Sequence, residues 1–221
     1  MKSLVISDLH GIDFRPIYEL QKALHKFDKI ILLGDYFDDN DRWENNQTKI
    51  HLKRFEDLFK IKSKDPRVEI ILGNHEAMYI NRQGRDNLDY TSKNKYQDEV
   101  EHLIETHIKD IDFAYQGPKY LYSHQGITKT FMDTINCKTI DELNEKLHNK
   151  DYSILDCKDG IRDWWNNKMF DSNTNQFEHL CKDKWCDNQI VGHYSRYGMS
   201  LNDGVLAIED LRHANVITIY E

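Results

Sequence analysis

Punctuation is sparse in this chain: three prolines and ten glycines in 221 residues. Long stretches can therefore run as helix or strand with few enforced breaks. No window holds the ~18 consecutive apolar residues that a membrane helix needs. No secretory leader opens the chain either, because the apolar run at 4–7 leads straight into Asp8. These two absences point to a cytoplasmic protein without a membrane partner. A basic excess is missing as well. Thirty Lys and Arg stand against 38 Asp and Glu, a net charge of -8, which argues against a broad nucleic-acid footprint. The four cysteines, Cys137, Cys157, Cys181 and Cys186, form no second tight pair. A small zinc site around Cys181 and Cys186 is the weaker reading, and reduced thiols the stronger. There is no internal repeat and no low-complexity tract. A chain of this length reads as a single domain, 1–221.

What is present is a series of short apolar runs, at 4–7, 30–33, 68–72, 120–123 and 189–191. Each reads as a strand, and each ends on residues that can bind metal. In order these are Asp8-Leu9-His10, Gly34-Asp35-Tyr36-Phe37-Asp38, Gly73-Asn74-His75-Glu76, His124 and Gly192-His193. Ligands of open α/β sheets gather at the carboxyl ends of strands. Carboxylate and amide oxygens mixed with imidazoles suit divalent ions such as Mn²⁺, Fe²⁺ or Zn²⁺. Two such ions would dominate the local charge and could draw an anion despite the chain's negative sign.

Between the runs lie amphipathic patterns. Residues 13–27 read as a helix capped by Asp13, with Ile17, Leu20, Leu24 and Phe27 on one face. A second helix is expected over 48–62, with Leu52, Phe55 and Phe59 inward. A third is expected over 97–109, with Val100, Leu103, Ile104 and Ile108 inward. The first 75 residues are thus β-α-β-α-β. Residues 81–95 read as a loop, and Gly117-Pro118 as a turn between two β-rich runs. The segment 128–187 separates the fourth motif from the fifth and holds Trp164, Trp165 and Trp185. It reads as an insertion beside the site, the tryptophans being its own core rather than a nucleobase platform. Strands at 205–208 and 216–220 close the chain.

The motifs from Asp8 to His193 resemble those of the calcineurin-like metallophosphoesterase superfamily. Gly-Asn-His-Glu followed by Ala77-Met78 is most similar to its bacterial and bacteriophage (lambda-type) Ser/Thr protein phosphatase branch. The resemblance implies an α/β fold, a four-layer α/β/β/α sandwich of two mixed sheets. It implies two divalent metal ions, Mn²⁺ first and Fe²⁺ or Zn²⁺ as alternatives. Asp8 and His10 would hold the first ion, Asp35 would bridge, and Asn74, His124 and His193 would hold the second. His75 would be the general acid, oriented by Asp38. A hydroxide held between the ions would attack phosphorus. Two cations ~3.5–4 Å apart need such shared anionic ligands. An imidazole beside a carboxylate also keeps its proton more tightly. Glu76 reads as a helix-start carboxylate, and His51 as a surface or satisfied histidine.

The chain departs from that branch in two places. Asp39-Asn40 stands where related phosphatases carry an arginine for the phosphate. Arg42 and Arg196 are the candidate replacements, with Arg82 and Arg85 as rivals. After His193 comes Tyr194-Ser195, without the second histidine of many phosphodiesterases and nucleases. The expectation is a phosphomonoesterase of the Ser/Thr protein phosphatase type acting on a phosphoprotein or nucleotide. Hydrolysis of dinucleoside polyphosphates or another nucleotide is the alternative, then phosphodiesterase or nuclease chemistry, then a silent metal-binding scaffold. The sequence leaves the substrate, the native metals and the oligomeric state open.

Overall fold

The computed structural model describes residues 1–24, 26–37, 45–80, 97–155, 180–195, 200–209 and 216–221. Asp38, Arg42, Arg82, Arg85, Arg196, Trp164 and Trp165 lie outside them, so the readings placed on these residues have no structural counterpart here.

The chain opens with β1 (Lys2–Ile6), α1 (Arg15–Leu24), β2 (Lys29–Leu32), α2 (Asn45–Lys62) and β3 (Val68–Ile71). This is the β-α-β-α-β order expected. Then follow α3 (Asn74–Ile80), α4 (Gln97–Thr106), β4 (Ile111–Asp112), β5 (Ala114–Gln116) and β6 (Leu121–Ser123). Next come α5 (Lys129–Thr134), α6 (Ile140–His148), β7 (Gln189–Ser195), β8 (Ser200–Asn202), β9 (Val205–Glu209) and β10 (Val216–Tyr220). The strands form two five-stranded sheets, ordered β10-β1-β2-β3-β4 and β5-β6-β7-β9-β8. β1 to β4 run parallel, and β10 joins β1 antiparallel. In the second sheet β6, β7 and β9 are parallel, and β5 and β8 are antiparallel edges. Both sheets are therefore mixed, and helices cover their outer faces, as expected.

The apolar runs lack alternation because both faces of each strand are buried. Val5, Ile31, Leu33 and Ile71 meet Tyr122, Ile190 and Ile208 across the seam between the sheets. Their neighbours Leu4, Ile6, Ile30, Leu32, Val68 and Ile70 turn the other way, into a cluster with Phe55, Phe59, Val100 and Ile104 of the helices. On the outer face of the second sheet, α5 and α6 add Phe131, Leu143 and Leu147 to that same cluster. Leu180 and Cys181 cover Val191, Val205 and Ala207.

The first helix packs differently from expectation. It ends at Leu24, and Leu20 and Leu24 are 57% and 45% exposed. The buried stripe is Phe14 and Tyr18, with Ile17 beside them. Phe14, which precedes the helix, sets the rotation: positions 14, 17 and 18 share a face, and Leu20 falls off it.

The chain first passes from one sheet to the other between β4 and β5. β4 pairs with β3, and two residues later β5 pairs with β6. At the corner the Phe113 and Ala114 N–H groups donate to Asn144 Oδ1 at 2.8 and 3.2 Å. Asn144 Nδ2 donates back to the Ala114 carbonyl at 2.9 Å. An α6 side chain, within 128–187, thus satisfies the backbone where the chain leaves one sheet for the other.

Candidate metal centre

The expected ligands come together at one rim of the sandwich. Asp8 and His10 follow β1, Asp35 follows β2, Asn74 and His75 open α3 after β3, and His124 follows β6. His193 differs in detail: β7 runs on through it to Ser195, and the pairing with β9 shifts register between Val191 and Ser195. The irregularity turns His193 toward the rim instead of leaving it in a regular ladder.

Asp35 is the centre. Its Oδ2 lies 3.4 Å from His124 Nε2, 3.7 Å from His75 Nε2 and 3.9 Å from His10 Nε2. His10 Nε2 is also 3.8 Å from Asp8 Oδ1. His124 Nε2 lies 2.8 Å from Asn74 Oδ1. Among the described residues, two donor groups could each surround a cation: His10, Asp35 and His75, and Asp35, His124 and His193. Asp35 belongs to both. The first group has His75 where the expected set has Asp8; Asp8 nevertheless keeps Oδ1 toward His10, while its Oδ2 takes the Ser7 hydroxyl and the His193 N–H.

The backbone at this rim is strained. Asp8, His10, Asp35 and His193 have φ of 53°, 41°, 56° and 61°, in a region that non-glycine residues visit at a cost of ~1–3 kcal/mol. Neighbouring glycines leave no room for a side chain. A β-carbon on Gly73 would lie 2.3 Å from Asp35 Oδ1, and one on Gly192 would lie 1.9 Å from Ser7 Oγ. The Gly that precedes each of these motifs therefore lets two ligand loops touch.

The charges are buried as well. Asp8, Asp35, Glu76 and His124 are 6%, 2%, 0% and 0% exposed. Burial and then neighbouring Asp35 push Glu76 up to about 7. Burial raises Asp8, with Asp35 adding to it and His124 opposing. Burial also works to raise Asp35, but His124 and His75 outweigh it and hold Asp35 well below the carboxylate range. For His124 burial favours the neutral ring, yet Asp35, Asp8 and the Leu33 carbonyl lift it to about 9. A proton on His124 thus answers the demand for positive charge at this rim, a demand a metal cation would also meet.

A family model for calcineurin-like phosphoesterases matches residues 1–215. The chain belongs to that family. Among curated proteins none matches it. Among solved structures, a serine/threonine phosphatase from Saccharomyces cerevisiae with similarity to human phosphatase PP5 overlays with a TM-score of 0.53 at 15% identity. The match covers 95% of this chain and 67% of that one. E. coli YfcE, a phosphoesterase, gives a TM-score of 0.39 at 12% identity over 95% and 78% of the two chains. A putative diadenosine tetraphosphatase gives 0.40 at 14% over 99% and 92%. Of these three overlays the yeast one alone exceeds a TM-score of 0.5, and at 15% identity it bears on the fold.

Membership makes the chain a metal-dependent phosphoric ester hydrolase, of a family that uses two metal ions. The donors fit that requirement. Ligands ~2.0–2.2 Å from one ion lie ~3–3.5 Å from each other; the Asp35 to His124 distance of 3.4 Å falls in that range and the His124 to Asn74 distance of 2.8 Å just below it. The 3.7–3.9 Å gaps to His75 and His10 exceed hydrogen-bond length and leave space between donors. Cys181 and Cys186 turn their thiols to the Asn202 and Asn188 carbonyls. Among the described residues, neither metal-capable group includes a cysteine.

Sequence reasoning underrated Glu76. Its carboxylate accepts the Asp35 N–H at 2.9 Å and the Tyr36 and Phe37 N–H groups at 2.8 and 3.3 Å. It therefore clamps the turn that presents Asp35. Tyr36 assists: its hydroxyl accepts the Gly34 and Ile71 N–H groups at 3.1 and 3.0 Å and faces the Leu32 carbonyl. A carboxylate in a wholly buried seven-residue helix needs several donors, and the turn after β2 supplies them. His51, read as a surface or satisfied histidine, packs beside the site. Its ring lies against Gly11, where a β-carbon would approach it to 2.0 Å, and Arg54 Nη1 donates to the Gly11 carbonyl at 2.7 Å. α2 thus buttresses the loop that carries His10.

Proposed function

We propose that this hydrolase is a phosphomonoesterase of the Ser/Thr protein phosphatase type, working with two divalent ions, Mn²⁺ first. Asp35 carries the reading. It is the one carboxylate shared by both donor groups, as a bridging ligand must be. Asp8 and His10 would complete the first site, and Asn74, His124 and His193 the second. Bound there, the ions would supply an activated water and offset charge on the phosphoryl oxygens.

The protein's own groups do the rest. The Asp35 carboxylate is aimed by the Glu76 clamp and by the His75 N–H, which donates to its Oδ1 at 3.1 Å. His75, 3% exposed at the start of α3, would give its proton to the leaving oxygen, with Asp38 orienting it. Arg42 or Arg196 would bind the phosphate in place of the arginine that Asp39 displaces. Low exposure of His75 and its neighbours keeps bulk water from competing for these contacts. Residues 128–187 would be the family-specific addition that shapes the pocket beside this rim, and a phosphorylated protein the substrate, in the cytoplasm.

The substrate class rests on Ser195, which stands where many phosphodiesterases have a further histidine. A dinucleoside polyphosphatase lacks that histidine too and is the alternative. A panel with added Mn²⁺ tests the choice: p-nitrophenyl phosphate and phosphopeptides against bis-p-nitrophenyl phosphate and dinucleoside tetraphosphates. We expect turnover of the monoesters. Preference for the tetraphosphates overturns the reading in favour of nucleotide hydrolysis, and preference for the diester favours phosphodiesterase chemistry.

A further inference from the structure

The two histidines expected at the second ion are held in unlike ways. An imidazole that ligates a metal gives one nitrogen's lone pair to the ion and carries its hydrogen on the other, where an acceptor fixes both tautomer and ring orientation. For His124 that acceptor is main chain: Nδ1 faces the Leu33 carbonyl while Nε2 points at Asn74 and Asp35. For His193 the matching place is taken by a side chain. Gln125 sets its amide nitrogen, Nε2, 2.9 Å from His193 Nε2, and a half-turn of the amide brings Oε1 to the same place.

We infer that Gln125 is a positioning residue for His193, its side-chain oxygen accepting the Nε2 hydrogen and leaving Nδ1 for the metal. The inference rests on the two-metal reading above and extends it to a residue outside the ligand motifs. A primary amide presents an oxygen and a nitrogen at equal reach, related by a half-turn. Only the oxygen can accept an imidazole N–H, so metal loading selects that face. The surroundings suit a fixed part. Gln125 is 3% exposed, and Gly126 beside it has φ of +86° with Leu180 filling the space over its α-carbon. Gln125 directly follows His124, whose carbonyl accepts the Gly192 N–H at 3.0 Å. The His193 N–H donates to Asp8 Oδ2 at 3.2 Å, and its ring stands edge-on to His124 at 5.2 Å. The short segment that follows β6 thus supplies a ligand and the orienting group for the next ligand. His193 needs such a group, because its φ of 61° leaves it without a regular strand to aim it.

The test compares full-length wild type, Gln125→Leu and Gln125→Glu. Mn²⁺ binding is followed by calorimetry, and the His193 tautomer by ¹⁵N imidazole shifts in the Zn²⁺-loaded proteins. Circular dichroism melts in chelator confirm that each variant folds. We expect wild type to take two ions and to show the Nε2–H tautomer at His193. Gln125→Leu should weaken one of the two sites by ~10–100-fold, as loss of an outer-shell partner typically does, and should lose the tautomer preference. Gln125→Glu, whose oxygens can accept but not donate, should keep two tight sites and the same tautomer. Two unchanged sites and an unchanged tautomer in Gln125→Leu overturn the inference and leave the two-metal reading standing. Loss in Gln125→Glu equal to that in Gln125→Leu overturns it as well, because the amide would then act as donor. A wild-type chain that takes up fewer than two ions overturns the two-metal reading, and the inference with it.

Discussion

The seam between the sheets and the rim above it are built from the same strands yet obey opposite rules. Within the seam, Val5, Ile31, Ile71, Ile190 and Ile208 are fully apolar and buried; the first four lie in regular parallel register. Three or four residues further along the chain, Asp8 and Asp35 are buried carboxylates and His193 a partly buried imidazole, all held at positive φ. Moving residues from seam to rim exchanges packing for strain. A fold can hold such a rim only where the region beneath over-determines it, so stability should map to the seam and activity to the rim.

The sharpest break of that division would come from Asp35→Asn. Removing the shared carboxylate should lower turnover by at least the ~10²–10³-fold that loss of one transition-state donor costs, and weaken both ions. The chain should stay folded, because the seam is untouched. Full activity with two bound ions, read by calorimetry and a phosphatase assay, would overturn the assignment of Asp35.

His75→Asn comes next. If His75 gives the proton, alkyl phosphates should lose ~10²–10⁴-fold in turnover, while an activated aryl phosphate loses less. Equal losses for both would make His75 an electrostatic group or a metal ligand instead, as its 3.7 Å distance from Asp35 Oδ2 allows.

The seam has the converse signature. Ile31→Ala removes a fully buried side chain that faces the second sheet, and should cost ~2–5 kcal/mol of stability by chemical denaturation. The folded fraction should keep its turnover number. A large fall in turnover without loss of stability would show that the seam tunes the rim directly.

How far the division could be read in advance follows from the same contrast. The seam strands were legible because both-sided burial writes an unbroken apolar run, and the rim because Asp, His and Asn in series at strand ends have few other uses. What failed to show was set by tertiary contacts. The β-rich run before Gly117-Pro118 is divided between two sheets at Asp112-Phe113-Ala114, a split that depends on Asn144, some 30 residues later. The α1 face was misjudged because Phe14, outside the helix, fixes its rotation. β8 is short and on an edge, with Leu201 75% exposed, so it carries no burial pattern. Glu76 and Gln125 were passed over because only geometry shows what they hold.

Metal removal probes the rim without mutation. A ligand that binds only the folded chain adds RT ln(1 + [L]/Kd), ~2.7 kcal/mol at a hundredfold excess over Kd. Chelation should therefore lower the melting temperature of wild type. It should lower that of Asp35→Asn much less, since that variant has lost its ion affinity. Equal shifts in both would mean that the ion stabilises from somewhere other than this rim.

The smallest expected effect lies far from the rim, and it asks whether acid sensitivity belongs to the rim alone. Asp65 receives Arg67 Nε and Nη2 at 2.9 and 2.7 Å and the Tyr18 hydroxyl at 3.1 Å, tying α1 to the turn before β3. The Arg67 guanidinium holds Asp65 at about 2, below the usual carboxylate value of 3.8. A carboxylate lowered in the folded state stabilises above its unfolded value, and that contribution is lost as pH falls from about 4 through about 2. Arg67 is partly exposed, so screening limits the effect to on the order of 1 kcal/mol. Asp65→Asn should therefore destabilise at neutral pH by about that amount and flatten the fall in stability between pH 4 and pH 2. Turnover at neutral pH should not change. If the acid limb of the stability curve is the same in the variant, Asp65 carries none of it, Asp35, the rim carboxylate held low, becomes its source, and the division between a relaxed body and a charge-laden rim becomes sharper still.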